Sequence, residues 1–149
     1  MLTEQMKWIV RSFNAASVAS VNDDGTPAVS VKATFVVVDD ATLAFGDIRS
    51  PKTLHNLKQR PSVELNFIDI LNRRALRASG IARIVDRETD AWQDLEPVFA
   101  ESWAPYLEMM NHFVVIQLSH ASVITSPAYD IGIDETELKT TNLEKLNSL

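Results

Sequence analysis

Seven residues, Ile48-Arg49-Ser50-Pro51-Lys52-Thr53-Leu54, combine a helix start with groups that bind anions. Ser50 is a favourable N-cap, and Pro51 suits the first helical position, where a missing N–H costs nothing. The pattern predicts a helix that runs through Leu54, Leu57 and Lys58 until Pro61 stops it. Its first turn presents unpaired backbone N–H groups and the positive end of the helix dipole. Arg49 and Lys52 add formal charge there, and Ser50 and Thr53 add hydroxyl donors, a set suited to a phosphate monoester. Taken alone, the same residues also fit an ordinary capped helix with two solvated cations.

Other chemistries find less support. His55, His112 and His120 are far apart, with no His-x-His or His-x-x-x-His pair and no cysteine, so a metal site is not expected. No Gly-x-Ser-x-Gly elbow or nucleotide-binding glycine loop is present. Asp23-Asp24 and Asp39-Asp40 are paired carboxylates, but both fall on turns, where Asp is favoured for its conformation.

The formal charge is −6, unevenly spread. Residues 49–87 hold nine of the 14 Lys and Arg against three acids, which gives +6 there and −12 elsewhere. A basic segment in an acidic chain favours a small anionic ligand over nucleic acid. No apolar run reaches the roughly 20 residues of a membrane span, and the N-terminus lacks the pattern of a secretion signal. The expectation is therefore a cytoplasmic protein that engages neither nucleic acid nor membrane.

At 149 residues the chain fits one domain, 1–149, with a polar C-terminal tail from about 126. Residues 2–13 read as an amphipathic helix with Leu2, Met6, Ile9, Val10 and Phe13 on one face. Six strands follow the period-2 pattern, at 16–21, 27–38, 42–47, 62–67, 73–85 and 112–124. The first three are expected to form a meander through the Asn22–Gly25 and Asp39-Asp40 turns. Residues 86–110 read as acidic helix, with Trp92, Leu95, Val98, Phe99 and Trp103 inward and breaks at Pro97 and Pro105. Helix is also expected near 135–146. The fold class is α+β, mainly β: a six-stranded antiparallel barrel with peripheral helices.

The order and spacing of these pieces resemble the FMN-binding split β-barrels of the pyridoxamine 5′-phosphate oxidase-related family. The residues that carry the resemblance are Ala16–Val21, Asp24-Gly25-Thr26-Pro27, Val29-Ser30-Val31-Lys32, Leu43–Asp47, Arg49–Thr53, Leu57, Pro61, Val63–Phe67 and Gly80-Ile81-Ala82. The resemblance implies a homodimer with FMN in clefts at the subunit interface. It places Arg49, Ser50, Lys52 and Thr53 at the phosphate and Lys32 facing the cofactor. It gives Ser30 and Val31 backbone or hydroxyl contacts along the flavin edge. The fifth strand, with Arg74 and Arg77, would border the cofactor or the dimer seam.

The departures from that family also matter. Pro27 stands where the vitamin B6 enzymes carry an arginine, and Ala75 where they carry a flavin-contacting glutamine. Their C-terminal substrate signature has no counterpart in Ser126–Gly132. The expectation is an FMN-dependent oxidoreductase of another small-molecule substrate, with an electron donor such as NAD(P)H. A non-catalytic flavin or redox sensor, a barrel that uses a deazaflavin or haem instead, and a cofactor-free dimer are the alternatives.

Overall fold

The computed structural model describes residues 1–149. Seven antiparallel strands make up its one sheet: β1 (Ala16–Val21), β2 (Pro27–Lys32), β3 (Phe35–Asp39), β4 (Thr42–Asp47), β5 (Ser62–Asp69), β6 (Arg74–Asp86) and β7 (His112–Thr125). Their order is β2-β1-β5-β6-β7-β4-β3. The expected long strand 27–38 is thus two strands at opposite edges of the sheet, and the barrel is not closed. The break lies at Ala33-Thr34. The Thr34 hydroxyl donates to the Gly46 carbonyl at 2.7 Å and accepts from the Gly46 amide at 3.1 Å. Those bonds commit the chain to β4 and separate it from β2, so the expected meander is two hairpins with a gap between them.

Four α-helices surround the sheet: α1 (Glu4–Ser12), α2 (Pro51–Gln59), α3 (Asp90–Trp103) and α4 (Glu135–Asn147), with a 3₁₀ turn over Ala104–Met109. Thr3 caps α1, Thr89 caps α3 and Asp134 caps α4. Pro97 does not break α3 as expected; it lies exposed inside the continuous helix, and the change of helix type comes at Ala104-Pro105. No helix is long and apolar enough to cross a membrane.

The core has two parts. Inside the curled sheet, Val18, Leu43, Phe45, Leu65, Phe67, Leu76 and Ile116 pack with Ile9 and Val10 of α1 and Leu54 and Leu57 of α2. Outside β4 and β7, α3 builds a second cluster in which Phe113 lies between Trp92 and Phe99, with ring centroids 3.7 and 4.0 Å away. β4 is therefore buried along its whole length. Its Gly46 has no room for a side chain, since a Cβ there would collide with Met110.

No helix covers the outer face of the other half-sheet. Val29, Val31, Ile68 and Ile81 stand 67, 66, 47 and 52% exposed. The segment after β7 covers only the β5–β6 turn. Tyr129 donates its hydroxyl to the Asn72 carbonyl at 2.6 Å, Asn142 donates to the Leu71 carbonyl at 2.8 Å, and Leu138 is buried.

Candidate functional site

The candidate anion-binding residues meet where the first turn of α2 packs beside β2. β2 pairs with β1 alone, so its other edge offers free backbone donors and acceptors. Its residues alternate: Val29 and Val31 point to the bare outer face, while Ala28, Ser30 and Lys32 are half-buried. Ser30 Oγ lies 3.1 Å from Thr53 Oγ1 in the first turn of α2, so β2 and the helix start share one hydroxyl pair.

Ser50 occupies the N-cap position of α2 but does not cap it with its side chain, contrary to expectation. Its backbone, at φ −133° and ψ 50°, turns away from capping geometry, although its carbonyl accepts from the Leu54 amide at 3.0 Å. The Lys52 and Thr53 amides have no acceptor within the chain. The hydroxyl and both amides are consequently available to an anion. Arg49 and Lys52 are exposed beside them.

A hollow of about 170 Å³ lies between β2 and α2, lined by Ser20, Ala28, Ser30, Lys52, Thr53 and Asn56 among others. That is room for a phosphate group rather than a whole nucleotide. A polar hollow of about 360 Å³ adjoins it and shares Asn22, Lys52 and Asn56. Sequence reasoning did not single out Asn56. It is buried in mid-helix and donates to Ser20 Oγ at 3.0 Å and Asn22 Oδ1 at 3.2 Å, tying α2 to the end of β1. Its spacing with Thr53 and Leu57 on the inward stripe was the available signal.

The β1–β2 turn is braced against the same helix. Asp23 faces His55 Nε2 at 2.8 Å and pairs with Arg60, whose Nε also donates to the Val21 carbonyl at 3.1 Å. The His55 hydrogen bond, then the Arg60 one, hold the Asp23 carboxyl below the usual carboxylate range. A carboxyl lowered on folding contributes stability that is complete above its unfolded value and lost as the pH falls through the folded one. The melting temperature should therefore fall more steeply below about pH 4 in the native chain than in Asp23→Asn. Parallel melting curves across that range would refute the brace.

Lys32 makes no ion pair. Burial pulls its ammonium below the ordinary lysine range, and the nearby Asp47 opposes the shift. Arg74 and Arg77 stand apart from this group. β6 is three strands from β2, Arg74 pairs with Glu135 of α4 and lies 5.3 Å over the Tyr129 ring, and Arg77 pairs with Glu64 on the bare face. Within one chain the structure thus brings together Ser30, Lys52 and Thr53, places Val31, Lys32, Arg49 and Ser50 on the flanking segments, and leaves Arg74 and Arg77 elsewhere. His120 is exposed.

The family model described as pyridoxamine 5′-phosphate oxidase matches residues 2–126. No curated protein matches the chain. HupZ of Group A Streptococcus superposes with a TM-score of 0.72 at 21% identity, covering 85% of this chain and 96% of that one. An FMN-binding, pyridoxamine 5′-phosphate oxidase-related protein of Nostoc punctiforme gives 0.62 at 16% identity, covering 83% and 85%. An F420 reductase gives 0.56 at 23% identity, covering 72% and 88%. At these identities the likeness is one of fold.

Proposed function

Because this chain belongs to the pyridoxamine 5′-phosphate oxidase family, we propose that residues 1–149 form one FMN-binding unit, a homodimeric FMN-dependent oxidoreductase whose substrate is not a vitamin B6 phosphate. The observation that carries the reading is the Ser30–Thr53 hydroxyl pair, set beside the uncapped start of α2 and the free edge of β2. The groups left without partners there match the needs of a flavin monophosphate. The phosphate requires a cluster of N–H and O–H donors with a cation, and the ring edge requires backbone donors and acceptors along an extended strand. Arg49, Ser50, Lys52 and Thr53 would hold the phosphate. Ser30 and Val31 would lie along the flavin edge, with Lys32 presenting positive charge to it.

Bound FMN would supply hydride and electron transfer. The chain's own contribution would be binding, orientation and charge. No acid or base for a substrate stands out among these residues, so a redox sensor is the competing reading. Turnover of an acceptor with NAD(P)H would favour the enzyme. The F420 reductase neighbour gives a deazaflavin as the competing cofactor.

The bare outer face supports the dimer. Val29 and Val31 of β2, Ile68 of β5 and Ile81 of β6 are large apolar side chains exposed on this face, and a second copy would cover them. Arg77, on that face, would then meet the partner across the seam, and Arg74 would lie near its end. Val31→Asp should give a monomer in analytical ultracentrifugation and weaken FMN binding at least about tenfold, since burying an unpaired charge costs several kcal/mol. A dimer of native affinity would count against this seam.

The decisive experiment is an absorbance spectrum of the purified protein, with added FMN if it is colourless, followed by mass analysis of the released ligand. FMN near one per subunit supports the proposal. Failure to bind after reconstitution would reduce the Arg49–Thr53 segment to an ordinary helix start and end the oxidoreductase reading.

A further inference from the structure

Three of the four α-helices start in the same way. Thr3, Thr89 and Asp134 cap α1, α3 and α4 with side chains that accept from the amide three residues on, and their backbones are extended, at ψ 165°, 154° and 166°. Ser50 has a capping side chain for α2, and Pro51 favours the same extended backbone in the residue before it. The local sequence thus favours a cap, yet Ser50 stands at ψ 50° and its side chain caps nothing. Contacts outside the helix must hold it. The chain is pinned on both sides of Ser50. Upstream, Asn111 grips the exit of β4: its amide donates to the Asp47 carbonyl at 2.7 Å, and its Nδ2 donates to the Ile48 carbonyl at 3.1 Å. Beside it, His112 Nδ1 faces the buried Asp47 carboxylate at 3.0 Å, and Ile48 packs against the second core. Downstream, Leu54 and Leu57 are buried in the first core, and Thr53 Oγ1 meets Ser30. Only Arg49 and Ser50 span the interval from Ile48 to Pro51, so the two anchors dictate the backbone between them.

We propose that Asn111 is a positioning residue for the anion site: its hold on Asp47 and Ile48 keeps Ser50 out of capping geometry and so leaves the first-turn donors of α2 open to a ligand's phosphate. The use of those donors by FMN rests on the reading above, whereas the hold on Ser50 does not. Asn111 touches no ligand and acts through Ser50. Once released, Ser50 returns to the extended backbone and accepts from the Thr53 amide, as the other three caps do with theirs. That bond takes the Thr53 amide away from the anion.

The hold can be tested without cofactor. Asn111→Ala removes the bond to Ile48 and keeps the backbone bond to Asp47; the side chain is exposed, so the fold should survive. Asn111→Asp, of the same shape but without the donor, is the second variant. In the cofactor-free protein, amide hydrogen exchange at Thr53 should slow by about fivefold in either variant as the cap forms. Adding Ser50→Ala should restore the native rate. A contact that served the fold alone would give the opposite sign, because loosening the segment speeds exchange. Faster or unchanged exchange at Thr53 therefore overturns the hold. FMN and riboflavin, which differ by the phosphate, test the ligand part. Either variant should weaken FMN by about three- to tenfold, as for one lost hydrogen bond, and leave riboflavin affinity at its native value. Slowed exchange with unchanged FMN affinity, or an equal loss for both flavins, overturns the ligand part. A native chain that binds no FMN removes the flavin reading, while exchange at Thr53 still decides the hold.

Discussion

Lys52→Glu is expected to lower FMN affinity by at least about a hundredfold. A hydrogen bond to a charged group is worth about 1.5–3 kcal/mol, which by itself corresponds to a loss of roughly 10- to 150-fold. Reversal then adds repulsion. A unit-charge pair about 4 Å apart near a protein surface interacts by about 1–4 kcal/mol, and here the new carboxylate would face a phosphate dianion at the positive end of α2. The ammonium is exposed in the cofactor-free chain and lines both polar hollows, so its removal leaves no buried hole and the fold should survive. Lys58→Glu is the matched control. It changes the net charge equally on the same helix but lies exposed in the last turn. If the two variants bind FMN alike, the effect is one of overall charge and the phosphate assignment fails. Thr53→Val, which removes one member of the hydroxyl pair, should cost about tenfold, in keeping with one lost hydrogen bond. Raising the salt concentration should narrow the gap between Lys52→Glu and the native chain.

The start of α2 at Ser50-Pro51 was legible in the sequence because its logic is local. Within five residues, Ser50, Pro51, Lys52 and Thr53 follow Arg49 and mark a helix start together with its donors. The β1–β2 turn was legible for the same reason. Gly25 takes φ +84°, and Asp24 accepts from the Thr26 amide and hydroxyl within two residues. What escaped was decided at long range. Nothing in the run from Pro27 to Val38 marks Ala33-Thr34 as a crossing, because the break is made by bonds from Thr34 to Gly46. Ser50 is a good cap by type, yet its backbone conformation leaves the hydroxyl unused for capping. Asp47 and His112 are 65 residues apart and meet only through the β4–β7 register. Arg74 and Arg77 lie on the strand expected to border the cofactor or the dimer seam, and their pairing with Glu135 of α4 and Glu64 of β5 could not be read from that strand alone. Alternation puts a strand residue on a face; it does not say which later element will cover that face.

Phe113→Ala should destabilise the protein by about 3–5 kcal/mol, the range for truncating a buried aromatic side chain. The ring is wholly buried, stacked between Trp92 at 9° and Phe99 at 2° interplanar angle, so its loss separates α3 from β7 and leaves a hole with planar walls that close poorly. For a chain of this length the melting temperature should fall on the order of 10 °C. Phe113→Leu refills most of the volume and should cost less than about half as much. The damage should also reach the site. Phe113 is the register partner of Gly46, next to the Asp47–His112 pair, and Met110 of the same cluster presses on Gly46. Loosening α3 therefore frees the end of β4, from which the chain leads into the start of α2. If FMN binds only the folded protein, a concentration of about 100 times its Kd for the native chain should restore about 2.7 kcal/mol to the native chain and less to Phe113→Ala. Equal recovery in the two would mean that the stack holds the fold without shaping the cleft. Smaller recovery in Phe113→Ala would show that the geometry of the flavin cleft depends on the second core. Destabilisation of under about 1 kcal/mol would contradict the packing itself.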